Sequence, residues 1–305
     1  MKNILVIGSL NVDFVMDVSH IPVVGETILA KHMELVPGGK GANQAYSIGR
    51  MGGPVTMLGM VGTDSYGQLL LDNLAAVNVG LAHVERRAEA NTGIALVHLN
   101  EEGDNCITVV PGANHCVNRA YIDAHIAALE GCDIVLLQLE IPYDTVLYAA
   151  RRAKELGKLV ILDPAPASPE LPPELYAYVD IIKPNETELC ILTGDPQAPE
   201  HLPQAAEALL QRGVKQVVVT LGKDGVYLKD AQGVEMRARG KENKKPVDTT
   251  AAGDSFSGAM AYALLEGKGI GEALQFAIRV SEIVITRKGA QPSMPTMEEI
   301  LACQP

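Results

Sequence analysis

The run PVDTTAAGDSFSGAMAYALLEG places a single acid, Asp254, where a loop of small residues, Thr249 to Gly253, turns into an amphipathic segment. Phe256, Met260, Ala263 and Leu264 supply one apolar stripe for that segment. The first amides of a helix have no partner inside it, so those of Ala251, Ala252, Gly253 and Asp254 would form a site for negative charge. Small side chains let an anion come close. A carboxylate kept ionised beside such a site suits phosphoryl transfer, where positioning and charge stabilisation supply most of the rate and the base takes the attacking hydroxyl's proton late. The plain alternative is an aspartate cap on a close-packed helix.

A second run, PGGKGANQAYSIGRMGG, begins with Gly38, Gly39 and Gly41, which let the backbone reach a ligand, and puts Asn43 where it can both donate to and accept from hydroxyls. It matches neither G-x-G-x-x-G nor the Walker A pattern, and an ordinary glycine turn with a solvated Lys40 is the alternative. Asn11 and Asp13 share one face of a strand, an amide and carboxylate pair suited to the vicinal hydroxyls of a sugar or simply to a polar outer face. Gln138 and Glu140 share a face at the end of VLLQLE, where a parallel sheet presents its ligand crevice. In KPNETEL, the spacing of Asn185 and Glu188 is that of a helix capping box, with a nucleotide contact for Asn185 and a metal-linked phosphate contact for Glu188 as the other reading. TLGKDGVY, Thr220 to Tyr227, is a strand closing in an Asp-Gly turn or a further ligand loop. VITRKGAQPSMP would aim backbone carbonyls into a concave space, as a weakly hydrated cation requires, or form a surface turn. The seven histidines are isolated, and neither H-E-x-x-H nor G-x-S-x-G occurs.

Elements that could carry these residues alternate along the chain. The apolar runs NILVIG, VTMLGMVG, DIVLLQLE, LVILDP, DIIKP and QVVVTLG read as strands. Segments 68–76, 119–129, 143–156 and 204–210 have helical spacing between them. This predicts a mainly parallel sheet with helices on both faces. Two places break the pattern. From Asn11 to Val18, residues Val12, Phe14, Met16 and Val18 alternate with Asn11, Asp13, Val15 and Asp17 as in a half-exposed strand; GIALVHLN and CITVVPG, joined by EEGDN, form a hairpin. These pieces are expected to make a small separate sheet.

With about 150 residues per domain, 305 residues make roughly two domains or one large α/β unit. Hydrophobic residues at 47% and charged residues at 20% are those of a chain that folds. No apolar run approaches the ~18 residues of a membrane span, and MKNILVIGSLNVDF lacks a signal-cleavage pattern, so no membrane association and a cytoplasmic address are expected. Five scattered cysteines never form C-x-x-C, which argues against zinc or disulfides. The charge of −12, without a basic run or a tryptophan, argues against nucleic acid. It leaves phosphate ligands open, because a diffuse field is screened beyond ~8 Å while pocket amides act at contact range.

Together GGKGANQA, NETE, DTTAAGDSF and TRKGAQPS, in this order across nearly the whole chain, resemble the ribokinase family of carbohydrate kinases. The resemblance implies one domain over 1–305, a three-layer α/β/α sandwich with a mostly parallel sheet, and a β lid drawn from about 11–36 and 92–111. It implies transfer of phosphate from ATP to the 5-hydroxyl of D-ribose, Mg²⁺ with the nucleotide, activation by K⁺ and a homodimer formed through the lid. Kinases of deoxyribose, another small sugar or a nucleoside, and a silent sugar-binding regulator, are the alternatives.

Carried over by motif, Asp254 is the base and Ala251, Ala252 and Gly253 form the anion hole. Asn11, Asp13, Gly39, Lys40, Gly41, Ala42, Asn43, Glu140 and Asp254 hold the sugar. Asn185, Thr220, Leu221, Gly222, Lys223, Asp224, Gly225, Gly253 and Asp254 contact nucleotide, and Glu188 places Mg²⁺ indirectly. Oxygens of Asp248, Thr250, Val284, Arg287, Gly289 and Ser293 hold K⁺. Ile278 departs from the Asn or His usual beside adenine, and Arg279 and Glu282 fall in a stretch normally rich in alanine, which bears on nucleotide preference.

Overall fold

The computed structural model describes residues 2–102, 104–240 and 245–303; Gly103, in the expected EEGDN turn, lies outside them. The strands are β1 (Ile4–Ile7), β2 (Asn11–Asp17), β3 (His32–Gly38), β4 (Val55–Gly62), β5 (Gly80–Arg87), β6 (Gly93–Leu99) and β7 (Asn105–Val110). They continue with β8 (Ile134–Leu137), β9 (Leu159–Leu162), β10 (Ile181–Ile182), β11 (Gln216–Thr220), β12 (Val226–Asp230) and β13 (Glu235–Ala238). The α-helices are α1 (Lys40–Arg50), α2 (Ser65–Ala75), α3 (Arg119–Ala124), α4 (Ile126–Glu130), α5 (Tyr143–Glu155), α6 (Glu186–Thr193), α7 (Leu202–Leu210), α8 (Ala252–Leu265), α9 (Ile270–Val284) and α10 (Met297–Ala302).

Nine strands form one sheet in the order β13-β12-β11-β10-β9-β8-β1-β4-β5. It is parallel from β11 to β5 and antiparallel at the β11-β12-β13 end. ILVI, IVLL and LVIL are buried over nearly their whole length because both faces of the sheet are covered. Leu5, Ile7, Val135, Leu137, Val160 and Leu162 pack with α5, α6 and α7 on one side. Ile4, Val6, Ile134, Leu136 and Ile161 pack with α1, α2, α8 and α9 on the other, so the molecule has the three layers that the alternation predicts.

All six apolar runs read as strands are strands. The helix expected over 119–129 is two short helices, interrupted at His125, whose ring sits edge-on to Tyr121 (4.7 Å between centroids) and pairs with Glu85 at 3.0 Å. Strands β5 and β13 went unread because charged residues interrupt their apolar alternation.

The small sheet has the order β3-β2-β6-β7. Val12, Phe14 and Met16 share a face with their cross-strand partners Leu35, Met33 and Leu96. Val12 and Val18 are already buried, and Phe14 meets Tyr66 of α2 edge-on at 5.6 Å. Met33, Leu35, Leu96 and Val110 remain exposed on that face. The opposite face carries Asn11 and Asp13 at the root of β2.

The turn from β3 into α1 brings Gly41 against β1. A Cβ there would stand 2.6 Å from the Ser9 amide nitrogen and 2.7 Å from the Gly8 carbonyl carbon, both main-chain atoms that cannot turn aside. Gly41→Ala should therefore destabilise the fold by about 1–3 kcal/mol, as overpacking does, read as a lower urea midpoint at unchanged m-value.

Candidate active site

Asp254 lies in the first turn of α8, 6% exposed, yet it lines a cleft of about 1260 Å³ at the carboxyl ends of the parallel strands. Its Oδ2 accepts from Asn43 Nδ2 at 2.9 Å and its Oδ1 from Gln44 Nε2 at 3.1 Å, both donors from the first turn of α1. Gly258 makes this approach of α1 to α8 feasible: a Cβ there would stand 3.0 Å from the Gln44 carbonyl oxygen and from Ser47 Cβ. Burial and the neighbouring Asp163 charge raise the pKa of Asp254, and Lys40 with the two amides acts against that rise.

Ala251 starts α8 with φ 57°, a left-handed conformation costly for a residue with a Cβ. Of the three amides expected to hold an anion, that of Ala252 already donates to the Thr249 carbonyl at 3.2 Å. All three residues line the cleft, as do Asn185, Glu188, Thr220, Lys223 and Asp224, with Gly222 and Gly225 between them. The side chain of Leu221 packs in the core beside the cleft wall. Ile278 and Glu282 line the cleft as well. Asn185 and Glu188 do form the capping box of α6, with reciprocal bonds of 2.8 Å, so the structural reading of KPNETEL holds alongside their place in the cleft wall.

Three main-chain amides of the glycine loop are bonded within the protein. Lys40 N–H donates to Glu140 Oε2 at 3.0 Å, Gly41 N–H to Ser9 Oγ at 3.3 Å and Ala42 N–H to the Ser9 carbonyl at 2.9 Å. Glu140 thus caps α1, which has no side-chain cap of its own, and also accepts from the Ser9 hydroxyl. The side chain of Ala42 belongs to the core. Asn43 Oδ1 accepts from Gln291 at 2.9 Å, which occupies one of its two lone pairs. Asn11 Oδ1 accepts from Asn114 Nδ2 at 2.7 Å.

Sequence reasoning missed Asp163 and Lys183. They pair at 3.1 Å, both almost fully buried, and line the cleft. Lys183 also donates to the Gly253 carbonyl at 3.2 Å, and a Cβ on Gly253 would come within 3.4 Å of its ammonium. The signal was present: LVILDP and DIIKP each end in one charged residue at the carboxyl end of a parallel strand. Lys40 also faces this group. Burial would lower its pKa, but Asp254, Asp163, Glu140 and Glu188 together hold it protonated well above the usual lysine range. Burial and Asp163 push the Glu188 carboxyl up.

At the far side of α8, Asp248 accepts from the amides of Thr250 and Gly289, each at 2.8 Å. Burial works against its ionisation, but those bonds and the Lys288 charge hold it below the usual carboxylate range. Of the other oxygens expected around K⁺, the Val284 carbonyl accepts from Arg287 N–H at 3.0 Å and that of Ser293 from the Arg287 guanidinium at 3.4 Å.

An acid at a helix start, a cleft with room for two small ligands, and lysines among the carboxylates define a small-molecule kinase. The chain belongs to the pfkB family of carbohydrate kinases, whose model matches residues 1–297. A ribokinase from Bacillus subtilis is 40% identical over 301 residues, covering 98% of each chain. A deoxyribokinase from Salmonella typhi is 34% identical over 299 residues, covering 97% of each. The structure of Arabidopsis thaliana ribokinase complexed with ribose and ATP superposes with a TM-score of 0.92 at 36% identity, covering 99% of this chain and 98% of that one.

Burial, then the charges of Glu140 and Asp254, push the carboxyl of Asp13 up to about 7, with Lys40 opposing. A raised carboxyl binds more protons folded than unfolded, so it removes stability as pH climbs from its unfolded value near 4 towards 7. Asp13→Asn should therefore raise the melting temperature at pH 8 and change it little at pH 4, a difference that thermal unfolding at the two pH values reads directly.

Proposed function

We propose that this kinase transfers the γ-phosphoryl group of ATP to the 5-hydroxyl of D-ribose, releasing D-ribose 5-phosphate and ADP. The observation that carries the reading is Asp254, a buried carboxylate held at both oxygens by amide donors at the head of α8 and turned to a cleft that also holds Lys40 and Lys183. Asn11 and Asp13 at the root of β2, with Lys40 and Glu140 beside them, would bind the sugar, and Asn43 would contribute through its remaining N–H. Asn185, Thr220 and the Gly222 to Gly225 turn would bind the nucleotide. Asp254 takes the hydroxyl proton as the oxygen attacks, while the Gly253 amide and the two lysines meet charge on the phosphoryl oxygens. Closure of the small sheet would exclude water, which would otherwise compete as acceptor. That lid and the sandwich would work as a single unit.

Mg²⁺ would arrive with the nucleotide, which suits an ion held by one or two carboxylates plus substrate phosphates. Glu188 provides a hard oxygen donor in the cleft wall, and among the described residues no group of three or more His, Cys, Asp or Glu could cage a metal unaided. When bound, Mg²⁺ supplies neutralising charge on the phosphates. K⁺ would sit among Asp248 and the carbonyls of Thr250, Val284, Arg287 and Gly289, with Ser293, where it would steady the loop entering α8.

Among the described residues no helix is long and apolar enough to cross a membrane, and all five cysteines are free, which supports a reducing cytoplasmic setting. The Salmonella relative favours one second reading, in which the acceptor is deoxyribose. A coupled ADP assay over pentoses, hexoses and nucleosides, with and without K⁺, should give the highest kcat/KM with D-ribose and a faster rate with K⁺; a higher value for deoxyribose reverses the choice. In the same assay Asp254→Asn should lose about 10²–10⁴ in kcat while still binding the sugar.

The exposed Met33, Leu35, Leu96 and Val110 on one face of the small sheet support a homodimer through the lid. Sedimentation at micromolar concentration should find a dimer, and Leu35→Glu should shift it to monomer; a wild-type monomer removes the idea.

A further inference from the structure

Five carboxamides converge on Asp254 in two chains. In one, Gln138 Nε2 donates to Gln44 Oε1, and Gln44 Nε2 divides its two hydrogens between Asp163 Oδ2 (2.8 Å) and Asp254 Oδ1 (3.1 Å). In the other, Asn73 Nδ2 donates to Gln291 Oε1, Gln291 Nε2 to Asn43 Oδ1 (2.9 Å), and Asn43 Nδ2 to Asp254 Oδ2 (2.9 Å). The direction of each chain follows from chemistry. Ionised carboxylates only accept, so Gln44 and Asn43 must turn their NH₂ groups towards Asp254, which leaves their oxygens to be met by donors. Only Gln138 and Gln291 supply those donors among the hydrogen bonds of the described residues.

Gln138 shows that the orientation is enforced. Its Oε1 is buried without a hydrogen-bond partner among the described residues, an arrangement the fold retains only if something is gained at the other end of the amide. The oxygen lies where a Cβ on Gly8 would stand 2.0 Å away, so a glycine at that position of the chain makes room for it.

We propose that Gln138 and Gln291 are positioning residues for phosphoryl transfer: each fixes which way its partner amide faces, so that both oxygens of Asp254 meet N–H donors and the carboxylate stays ionised and aimed at the acceptor hydroxyl. Neither residue is among those that line the nucleotide cleft with Asp254. If Gln44 turned over, its oxygen would face two carboxylates, which is repulsive. Aligned donors in series also polarise one another and strengthen the last bond. The inference rests on Asp254 being the base.

The test uses Gln138→Met and Gln291→Met, close in volume to glutamine and lacking its donor, in the full chain. Carbon-13 NMR of protein labelled at the aspartate carboxyl carbons, with Asp254→Asn to assign the signal, reads the titration of Asp254 whether or not turnover is seen. Either variant should move that titration up by about half to one pH unit, the order expected when a donor to a carboxylate is weakened. The acidic limb of the kcat/KM profile should move with it, and kcat should fall about tenfold with KM for sugar and nucleotide within about twofold. A merely structural role would lower the melting temperature and leave the titration in place. If both folded variants keep the wild-type titration and kcat, the proposal is overturned. If the titration moves but the wild type releases no ADP with any sugar, the positioning stands and the kinase reading fails.

Discussion

A buried carboxylate that must remain charged, in a cleft that must also admit the phosphates of a nucleotide, is the constraint on which this molecule is built. Asp254 cannot be solvated, and Asp163, Glu140, Glu188 and Asp13 crowd the same region with negative charge. Lys183, buried, and Lys40, half-buried, offset part of it, and oriented amides supply the rest at contact range. A cationic patch on the surface would not serve, since charges separated by more than a Debye length are screened. The acidic balance of the whole chain is therefore no obstacle to anion binding.

The sheet solves the placement problem. Parallel strands deliver their carboxyl ends to one edge, so Asp163 after β9, Lys183 after β10 and Gln138 after β8 arrive side by side from distant parts of the sequence. Helices α1 and α8 then close over that edge with their N-termini inward, and glycines at 41 and 258 let the backbones come near enough for Asn43 and Gln44 to reach Asp254. Glu140 joins the two parts, since its Oε2 caps α1 from the end of the β8 segment. The stability of the fold and the geometry of the site are held by the same close contacts.

How much of this could be read from the sequence depends on the range over which each feature is specified. The six buried strands, the loop entering α8 and the capping box at Asn185 are written in local spacing, and all were legible. Asp254, Asn185, Glu188 and the Gly222 to Gly225 turn, all in the cleft wall, were singled out through motifs whose composition is unusual on its own. Asp163 and Lys183 escaped because a lone charge after an apolar run has no signature until its strand neighbours are known. A motif names a stretch of chain, whereas where each of its side chains points is set by packing with distant residues, as the buried side chains of Leu221 and Ala42 and the bond from Gln291 to Asn43 illustrate. The amide chains were illegible because hydrogen-bond direction is a property of the assembled network alone.

Those chains have one more effect. A carboxamide has no site that takes up a proton near neutral pH, so the two chains behind Asp254 are insulators as well as supports. A proton that Asp254 took from an alcohol, as proposed, would find no relay in either amide chain. Under that proposal the proton would leave through the cleft, so product exit and recharging of the base would be linked.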